Sequence, residues 1–333
     1  MTVTSEIDLD PIAAGQESTG PSHAAPTQPE AFATPSTRAD HRAEDAPVTP
    51  GEAMLKRFAL PRPQGERPLI MGIVNATPDS FSDGGLYVAA EAAIDRGAEL
   101  FANGADLIDV GGESTRPGAN RVSVDDELAR VIPVVAGLAA RGIPVSVDTM
   151  NSVTALAAAE AGAVVINDVS GGLNDPEMYR IIARTGLHYI AMHWRGHSDQ
   201  MQNNTDYTDV ATDVRHELAQ RVAEMFVWGI DPERIILDPG VGFAKNGEQN
   251  WQALASLPQL SSLGLPILVG ASRKKFLAKF APEGASPEDR DAATAVVSVL
   301  SAEAGAWGVR VHNVEATKAA LAVWSAWQKG AAA

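Results

Sequence analysis

Short apolar runs rich in β-branched residues alternate with longer Ala/Leu-rich stretches from about residue 68 to the end of the chain. The short runs predict eight β-strands, at 69–75, 106–111, 144–149, 164–169, 188–193, 235–239, 266–271 and 308–314. The longer stretches have apolar residues at three- and four-residue spacing and predict eight helices, at 89–103, 124–140, 152–161, 175–184, 210–228, 249–263, 289–304 and 314–328. Strict alternation of strand and helix favours an α/β fold of the (β/α)8 TIM-barrel type. A doubly wound sheet is less favoured, because the first strand is not followed by a Gly-x-Gly-x-x-Gly turn.

The segment before the first strand has a different composition. Acidic residues, Pro, Ser and Thr dominate residues 1–50, where Arg38 and Arg42 are the basic residues. Such a segment buries too little apolar surface to offset the entropy lost on ordering. We therefore predict a disordered N-terminal tail over 1–55, dispensable for activity, and one catalytic barrel domain over 56–330.

Charge and composition narrow the class of partner. The 333 residues have a formal net charge of −16, which argues against nucleic acid or an anionic membrane as partner and favours small molecules. The absence of cysteine excludes disulfides and thiolate sites. No apolar run reaches the roughly 18 residues of a membrane span, and the acidic start is unlike a secretory signal, so we predict a cytoplasmic protein.

Polar side chains close several of the predicted strands, where a barrel of this type places its chemistry. Asn75 ends the first strand, and its amide oxygen is a suitable ligand for Mg²⁺, although an Asn that merely starts a turn is the alternative. Alternation along the third strand puts Asp148 on the face opposite Val147, so Asp148 is expected at the barrel mouth unless it caps the next helix. Asn167 and Asp238 end later strands in the same way.

Basic groups follow other strands of this acidic chain. Arg310 and His312 are two residues apart at the last strand, and Lys274 ends the run Ser272-Arg-Lys274, whose alternative role is a basic first helical turn. The loop Gly111-Gly-Glu-Ser-Thr-Arg-Pro-Gly118 provides donors suited to phosphate oxygens, unless Arg116 is simply solvated. His193 and His197 lack the interposed acid of a zinc helix and are interpreted as structural.

Two stretches carry a family resemblance: Thr77-Pro-Asp-Ser-Phe-Ser-Asp-Gly-Gly85 and the octapeptide 111–118. Both resemble signature loops of dihydropteroate synthases, and the similarity extends over about residues 68–328. It implies a pterin-binding TIM-barrel transferase of folate biosynthesis that joins (7,8-dihydropterin-6-yl)methyl diphosphate to 4-aminobenzoate with loss of pyrophosphate, with Mg²⁺ as cofactor.

The resemblance also implies roles for single residues. For the pterin it implies Asp148, Asn167, Met192, Asp238 and Lys274. For the diphosphate it implies Asp83, Thr115, Arg116, Arg310 and His312, with Mg²⁺ on Asn75. For the aminobenzoate it implies Phe81, Arg116, Pro117 and Ser272. The residues expected to act in catalysis are Asp148, Asp238, Lys274, Arg310 and His312.

Further expectations concern assembly, inhibition and alternative functions. The last helix has Leu321, Trp324 and Trp327 at three-residue steps, which favours packing on the barrel, while the family resemblance implies a homodimer and sensitivity to sulfonamides. Ala278 and Asn313 depart from the family pattern at positions that are not expected ligands. A pterin-binding methyltransferase would need no diphosphate site, and an inactive scaffold paralogue would be expected to have lost site residues.

Overall fold

The fold is a parallel barrel whose strands and helices alternate along the chain. The computed structural model describes residues 67–76, 86–113, 121–197 and 201–331. The strands are β1 (Leu69–Asn75), β2 (Leu107–Gly111), β3 (Val145–Asp148), β4 (Val165–Asp168), β5 (His188–Met192), β6 (Ile235–Asp238), β7 (Leu268–Val269) and β8 (Gly308–Val311). The α-helices are α1 (Leu86–Ala102), α2 (Val124–Ala140), α3 (Ser152–Ala161), α4 (Met178–Thr185), α5 (Val210–Val227), α6 (Gly247–Ala255), α7 (Leu257–Leu260), α8 (Asp291–Glu303) and α9 (Val314–Ala331).

The strands form one eight-stranded parallel sheet in the order β6-β5-β4-β3-β2-β1-β8-β7. A parallel bridge between Leu237 and Ile267 joins the two edge strands, and the Leu237 amide donates to the Pro266 carbonyl at 2.9 Å. This bridge brings β6 next to β7, so the predicted (β/α)8 barrel is confirmed. The predicted disordered tail lies outside the described residues.

Several predicted boundaries were wrong. The seventh strand is reduced to Leu268–Val269 because Gly270 and the following turn leave the ladder. The predicted helix at 249–263 begins at Gly247 and is interrupted at Ser256, two residues before Pro258, which cannot donate a helical hydrogen bond. The helix predicted from 175 starts at Met178.

Two of the buried apolar clusters pack on opposite sides of the strands. Alternate strand residues such as Ile108, Val145 and Val147 pack outward among helix side chains including Leu138 and Ala158. The residues that face inward form a second cluster made almost entirely from strands: Met71, Leu107, Val164, Val165, Ile190, Ile236, Leu268 and Trp307. This inner layer closes the barrel below the carboxyl ends of the strands.

The last helix packs differently from the prediction. Leu321 is fully buried in the core, and the Trp324 indole donates to Glu303 of α8 at 2.7 Å. Trp327, however, is 76% exposed, because its position places it on the face of α9 that points away from the barrel. Among the described residues, no helix is long and apolar enough to cross a membrane. The cytoplasmic location stays a prediction.

Candidate active site

A polar layer lies directly above the inner apolar layer. In four strands the inward-facing apolar residue is followed two positions later by a residue of the candidate site. The pairs are Leu107 and Asp109, Val165 and Asn167, Ile190 and Met192, and Ile236 and Asp238. Because side chains alternate along a strand, each of these site residues points into the barrel mouth.

Arg310 connects three strands at the mouth. From β8 its Nε donates to Asp109 Oδ2 at 2.6 Å, and its Nη2 donates to Asp148 Oδ2 at 2.9 Å. The Asn167 amide donates to the same Asp109 oxygen at 3.1 Å. The other oxygen of Asp109, Oδ1, is buried without a hydrogen-bond partner among the described residues. The cluster therefore offers a ligand an unused acceptor.

Asp238 and Lys274 form the second half of the site. The Asp238 carboxylate accepts the Gly240 amide at 2.7 Å, while the Lys274 ammonium donates to the Val241 carbonyl and lies 4.6 Å from the centre of the Phe243 ring. A methyl group added to Gly270 would lie 3.6 Å from Asp238 Oδ2, 3.8 Å from Lys274 Nζ and 4.0 Å from Arg310 Cβ. Gly270 therefore marks the point where these three side chains converge.

Burial shifts the pKa values of these groups. Burial raises the pKa of Asp148 to about 7, although Arg310 acts in the opposite direction. Burial also raises the pKa of Asp238, against the neighbouring Lys274. It lowers the pKa of Lys274 to about 8, partly offset by Asp238. The site thus holds groups that change charge near neutral pH, as sites for acid–base or charge-stabilising chemistry commonly do.

Met192 forms one wall of the mouth. It is buried in an apolar cluster with Met150, Val169, Met201, Phe243 and Ala244, and Trp194 packs against that cluster. Met201 belongs to the short 3₁₀ helix Met201–Asn203, which lies within the polar loop of 196–208. The cluster places apolar side chains beside the polar layer, as in sites that bind a heterocycle.

Asn75 and His312 lie at another part of the mouth. They line one cavity of about 270 Å³ together with Arg96 and Arg273. The Ser272 hydroxyl oxygen accepts the His312 amide at 3.1 Å and lies 2.9 Å from His312 Nδ1, so Ser272 orients the ring. The Asn75 side chain is exposed at the end of β1. One amide oxygen there fits Mg²⁺, which usually keeps waters and substrate phosphates as its other ligands.

The described residues contain no cluster of three or more His, Asp or Glu side chains that could hold a metal ion. His193 is buried and pairs with Glu217 at 3.0 Å, in agreement with a structural role. Five predicted site residues lie outside the described residues: Phe81, Asp83, Thr115, Arg116 and Pro117.

Two alternative roles weighed from the sequence do not match the structure. Asp148 does not cap α3; its carboxylate pairs with Arg310, and Asn151 occupies the N-cap position. Lys274 is not in a first α-helical turn, because its backbone is extended and the 3₁₀ helix Lys275–Phe280 follows it.

Asp109 is the site residue that the sequence reasoning missed. It lies in the middle of a strand rather than at its end, in the run Leu107-Ile-Asp-Val-Gly111, all of whose residues are buried. A charged side chain inside an otherwise apolar buried strand needs a partner, and this was the signal available in the sequence.

Comparison with known proteins agrees with this geometry. A family model described as pterin binding enzyme matches residues 71–312. The dihydropteroate synthase of Mycobacterium leprae is 47% identical over 263 residues, which cover 78% of this chain and 93% of that protein.

Two solved structures of the Xanthomonas albilineans dihydropteroate synthase share the fold. The one with 4-aminobenzoic acid has a TM-score of 0.74 and 44% identity, covering 79% of this chain and 94% of that one. The one in complex with 7,8-dihydropteroate has a TM-score of 0.72 and 40% identity, covering 81% and 97%. The chain therefore belongs to the pterin-binding enzyme family and, within it, to the dihydropteroate synthases.

Proposed function

We propose that the enzyme condenses (7,8-dihydropterin-6-yl)methyl diphosphate with 4-aminobenzoate, giving 7,8-dihydropteroate and pyrophosphate. The observation that carries the proposal is the ring of buried acceptors at the barrel mouth, formed by Asp109, Asn167, Asp148 and Asp238. A 2-amino-4-oxo-pteridine presents several N–H donors along one edge, and Asp109 Oδ1 is an acceptor without a partner among the described residues. Buried acceptors of this kind discriminate strongly in favour of a ligand that satisfies them.

The charges of the site suit a reaction in which the pterin becomes cationic. Asp109, Asp148 and Asp238 place three carboxylates at the mouth, where Arg310 and Lys274 face them and Lys245 lies near Asp238. Donor groups of a bound pterin would stabilise the ionised form of Asp148 and lower its pKa from the raised value of the empty site. The enzyme then holds negative charge where positive charge develops.

We infer a dissociative substitution at the pterin methylene carbon. The bond from this carbon to the diphosphate oxygen breaks, and its electron pair leaves with pyrophosphate. The lone pair of the arylamine nitrogen forms the new carbon–nitrogen bond, and that nitrogen then loses a proton to solvent. Asp148 and Asp238 stabilise the cationic dihydropterin, and no general base is essential, because the arylamine is already a competent nucleophile.

The diphosphate end is assigned to the cavity shared by Asn75 and His312. Two guanidinium groups, Arg96 and Arg273, line the same cavity, and each is ion-paired, Arg96 with Glu99 and Arg273 with Glu288 and Asp291. Arg310 Nε and Nη2 are engaged by Asp109 and Asp148, which leaves Nη1 outside both ion pairs and free to meet a phosphate oxygen. Mg²⁺ held by Asn75 would stabilise the negative charge of the departing pyrophosphate.

Pyrophosphate release by the purified protein tests the reaction. The assay contains Mg²⁺, the pterin diphosphate and 4-aminobenzoate, with each substrate omitted in turn as a control. Release that requires both substrates, together with formation of dihydropteroate, is expected. No turnover, or release that does not depend on 4-aminobenzoate, would contradict the proposed reaction.

We also propose that the enzyme is a homodimer that uses the outer face of α8 and α9. Val296 and Leu300 are one helical turn apart on α8, as are Val323 and Trp327 on α9, and all four are more than half exposed. The two helices are fixed to each other by the hydrogen bond between Trp324 and Glu303. Light scattering should give twice the mass of 34.9 kDa, and Trp327→Glu should shift the mass toward the monomer; a monomeric parent protein would refute the dimer.

A further inference from the structure

Lys245 is a buried lysine next to the active site, and burial lowers the pKa of its ammonium to about 7, partly offset by Asp238. Its side chain reaches back to its own loop, and the residue is only 3% exposed. The ammonium donates to the Gly240 carbonyl at 3.1 Å and to the Phe243 carbonyl at 3.2 Å, and it lies 3.1 Å from His193 Nδ1. All three of its N–H donors are therefore used.

The imidazole of His193 is held in the tautomer that accepts the third hydrogen bond of Lys245. His193 Nε2 lies 3.0 Å from a Glu217 carboxylate oxygen, and Arg195 fixes that carboxylate from the other side. An Nε2–H that donates to Glu217 leaves Nδ1 as an acceptor facing Lys245. Burial, together with the charge of Lys245, lowers the pKa of His193 to about 4, in keeping with a neutral ring.

The loop that Lys245 holds has a left-handed backbone at three positions, and at Ala244 this conformation is strained. Gly240, Gly242 and Ala244 all have positive φ, at 67°, 87° and 45°. In the described residues only Ala244 and Arg273 adopt positive φ without being glycine, and each immediately precedes a lysine, the buried Lys245 or the half-buried Lys274. A left-handed conformation is unfavourable for a residue with a Cβ, so the surrounding contacts must enforce it at Ala244.

The same loop shapes the site. It begins directly after Asp238, whose carboxylate accepts the Gly240 amide. The Val241 carbonyl accepts the Lys274 ammonium, and the Phe243 ring lies beside it. The positions of both Asp238 and Lys274 therefore depend on the conformation that Lys245 ties together.

We propose that Lys245 is a positioning residue for the reaction: its ammonium holds residues 239–245 in the strained conformation that places Asp238 and Lys274 against the pterin. A buried ammonium is costly, and an apolar side chain of similar length would fill the same space more cheaply. Fixing the loop accounts for the presence of a hydrogen-bonding amine at this position. The proposal rests on the proposed function, because it assumes that Asp238 and Lys274 meet the pterin.

Lys245→Met is the direct test, because it keeps the length of the side chain and removes all three hydrogen bonds. Lys329→Met, at an exposed lysine of α9, is the matched control. We expect kcat/KM for the pterin diphosphate to fall at least about tenfold in Lys245→Met, because small misplacements of binding groups are costly. The KM for 4-aminobenzoate should stay within about twofold of the parent value, since the loop is assigned to the pterin half.

Binding of 6-hydroxymethylpterin, measured by calorimetry, separates this proposal from the reaction itself. Loss of pterin affinity in Lys245→Met supports the role of Lys245 even if the parent shows no turnover, whereas absence of parent turnover contradicts only the proposed reaction. A folded Lys245→Met with parent-like pterin affinity and kinetics would overturn the proposal, as would an equal loss for both substrates.

His193→Asn is the second variant and decides the matter if Lys245→Met does not fold. It removes the ring that accepts the third hydrogen bond but leaves Lys245 and both carbonyl partners in place. We expect kcat/KM for the pterin diphosphate to fall by less than in Lys245→Met. The KM for 4-aminobenzoate should not change. Unchanged kinetics in a folded His193→Asn, with Lys245→Met unfolded, would mean that Lys245 acts on stability alone and would overturn the proposal.

Discussion

Arg310 and Asp109 are 201 positions apart in the chain, yet Arg310 Nε donates to Asp109 Oδ2 at 2.6 Å. Arg310 lies on β8 and Asp109 on β2, and β1 separates the two strands in the sheet. Asp109 is fully buried, so its carboxylate depends on this ion pair and on the Asn167 amide for stabilisation. The pair fixes the guanidinium in the centre of the mouth, within reach of Asp148.

The first prediction concerns Asp109→Asn, which keeps the shape of the side chain and removes its charge. Arg310 would lose its best partner, and breaking a buried pair of this kind costs on the order of 3–5 kcal/mol when the other charge remains. We expect kcat/KM for the pterin diphosphate to fall at least about tenfold and the free energy of unfolding to decrease. Steady-state kinetics and urea unfolding measure the two effects.

Asp95→Asn is the control for Asp109→Asn, because Asp95 forms a surface ion pair with Arg141. Exposed pairs contribute about 0–1 kcal/mol, so Asp95→Asn should behave like the parent. Parent-like kinetics in Asp109→Asn would show that Asp109 does not position Arg310 for the reaction.

The second prediction concerns Asp148→Asn and pH. The pKa of Asp148 is raised by burial from 3.8 to about 7 in the empty protein, so the folded state binds more protons than the unfolded state between about pH 4 and pH 7. Stability from this group is therefore fully present below pH 4 and is lost as pH rises through 7. In Asp148→Asn the free energy of unfolding should change less with pH between about pH 4 and pH 7.

The same substitution should strongly reduce turnover, because it removes a charge assigned to the cationic pterin. The kcat/KM of the parent for the pterin diphosphate should rise as pH increases through about 7, because Asp148 of the free enzyme then ionises. Denaturant unfolding at pH 5 and pH 7.5, together with a pH–rate profile, tests both statements. An Asp148→Asn protein as active as the parent would rule out the assigned charge.

The third prediction concerns the basic side of the pH profile. Burial lowers the pKa of Lys274 to about 8, so its charge is lost as pH rises through that value. We expect kcat/KM of the parent for the pterin diphosphate to decline above about pH 8. Lys274→Met should have low activity that no longer changes over this range, and an unchanged basic limb in Lys274→Met would assign that limb to another group.

Much of the fold and part of the site could be predicted from the sequence. Alternation along β3 and β4 placed Asp148 and Asn167 toward the mouth, because a period of two leaves no other face for a polar residue that follows an outward-packed apolar residue, Val147 or Ile166. The eight strands could be predicted equally directly from the short apolar runs. The short β7 could not be predicted, because its end depends on how closely Gly270 approaches Asp238 and Arg310.

The ion pairs and hydrogen bonds of the buried basic residues could not be predicted from the sequence. Arg310 was predicted to serve the diphosphate, but its contacts with Asp109 and Asp148 depend on a register that joins β8 to β2 through β1. Lys245 gave no signal either, since its partners Gly240 and Phe243 become acceptors only in a strained loop. Both cases depend on tertiary geometry rather than on local pattern.

The last prediction compares two glycines with similar backbone conformations. Gly240 has φ of 67° and Gly229 has φ of 78°. A methyl group at Gly240 would lie 2.3 Å from the backbone oxygen of His193, whereas one at Gly229 would meet no atom within 4 Å among the described residues. Gly229→Ala should therefore cost only the conformational strain, about 1 kcal/mol. Gly240→Ala adds a clash with a backbone atom that cannot rotate away, and we expect a cost on the order of 3 kcal/mol.

Because the Gly240 amide also donates to Asp238, Gly240→Ala should reduce the affinity for pterin, while Gly229→Ala should leave that affinity unchanged. Urea unfolding and calorimetric titration with 6-hydroxymethylpterin measure both differences, and equal behaviour of the two variants would show that the close approach of the β6 loop to His193 does not constrain the site.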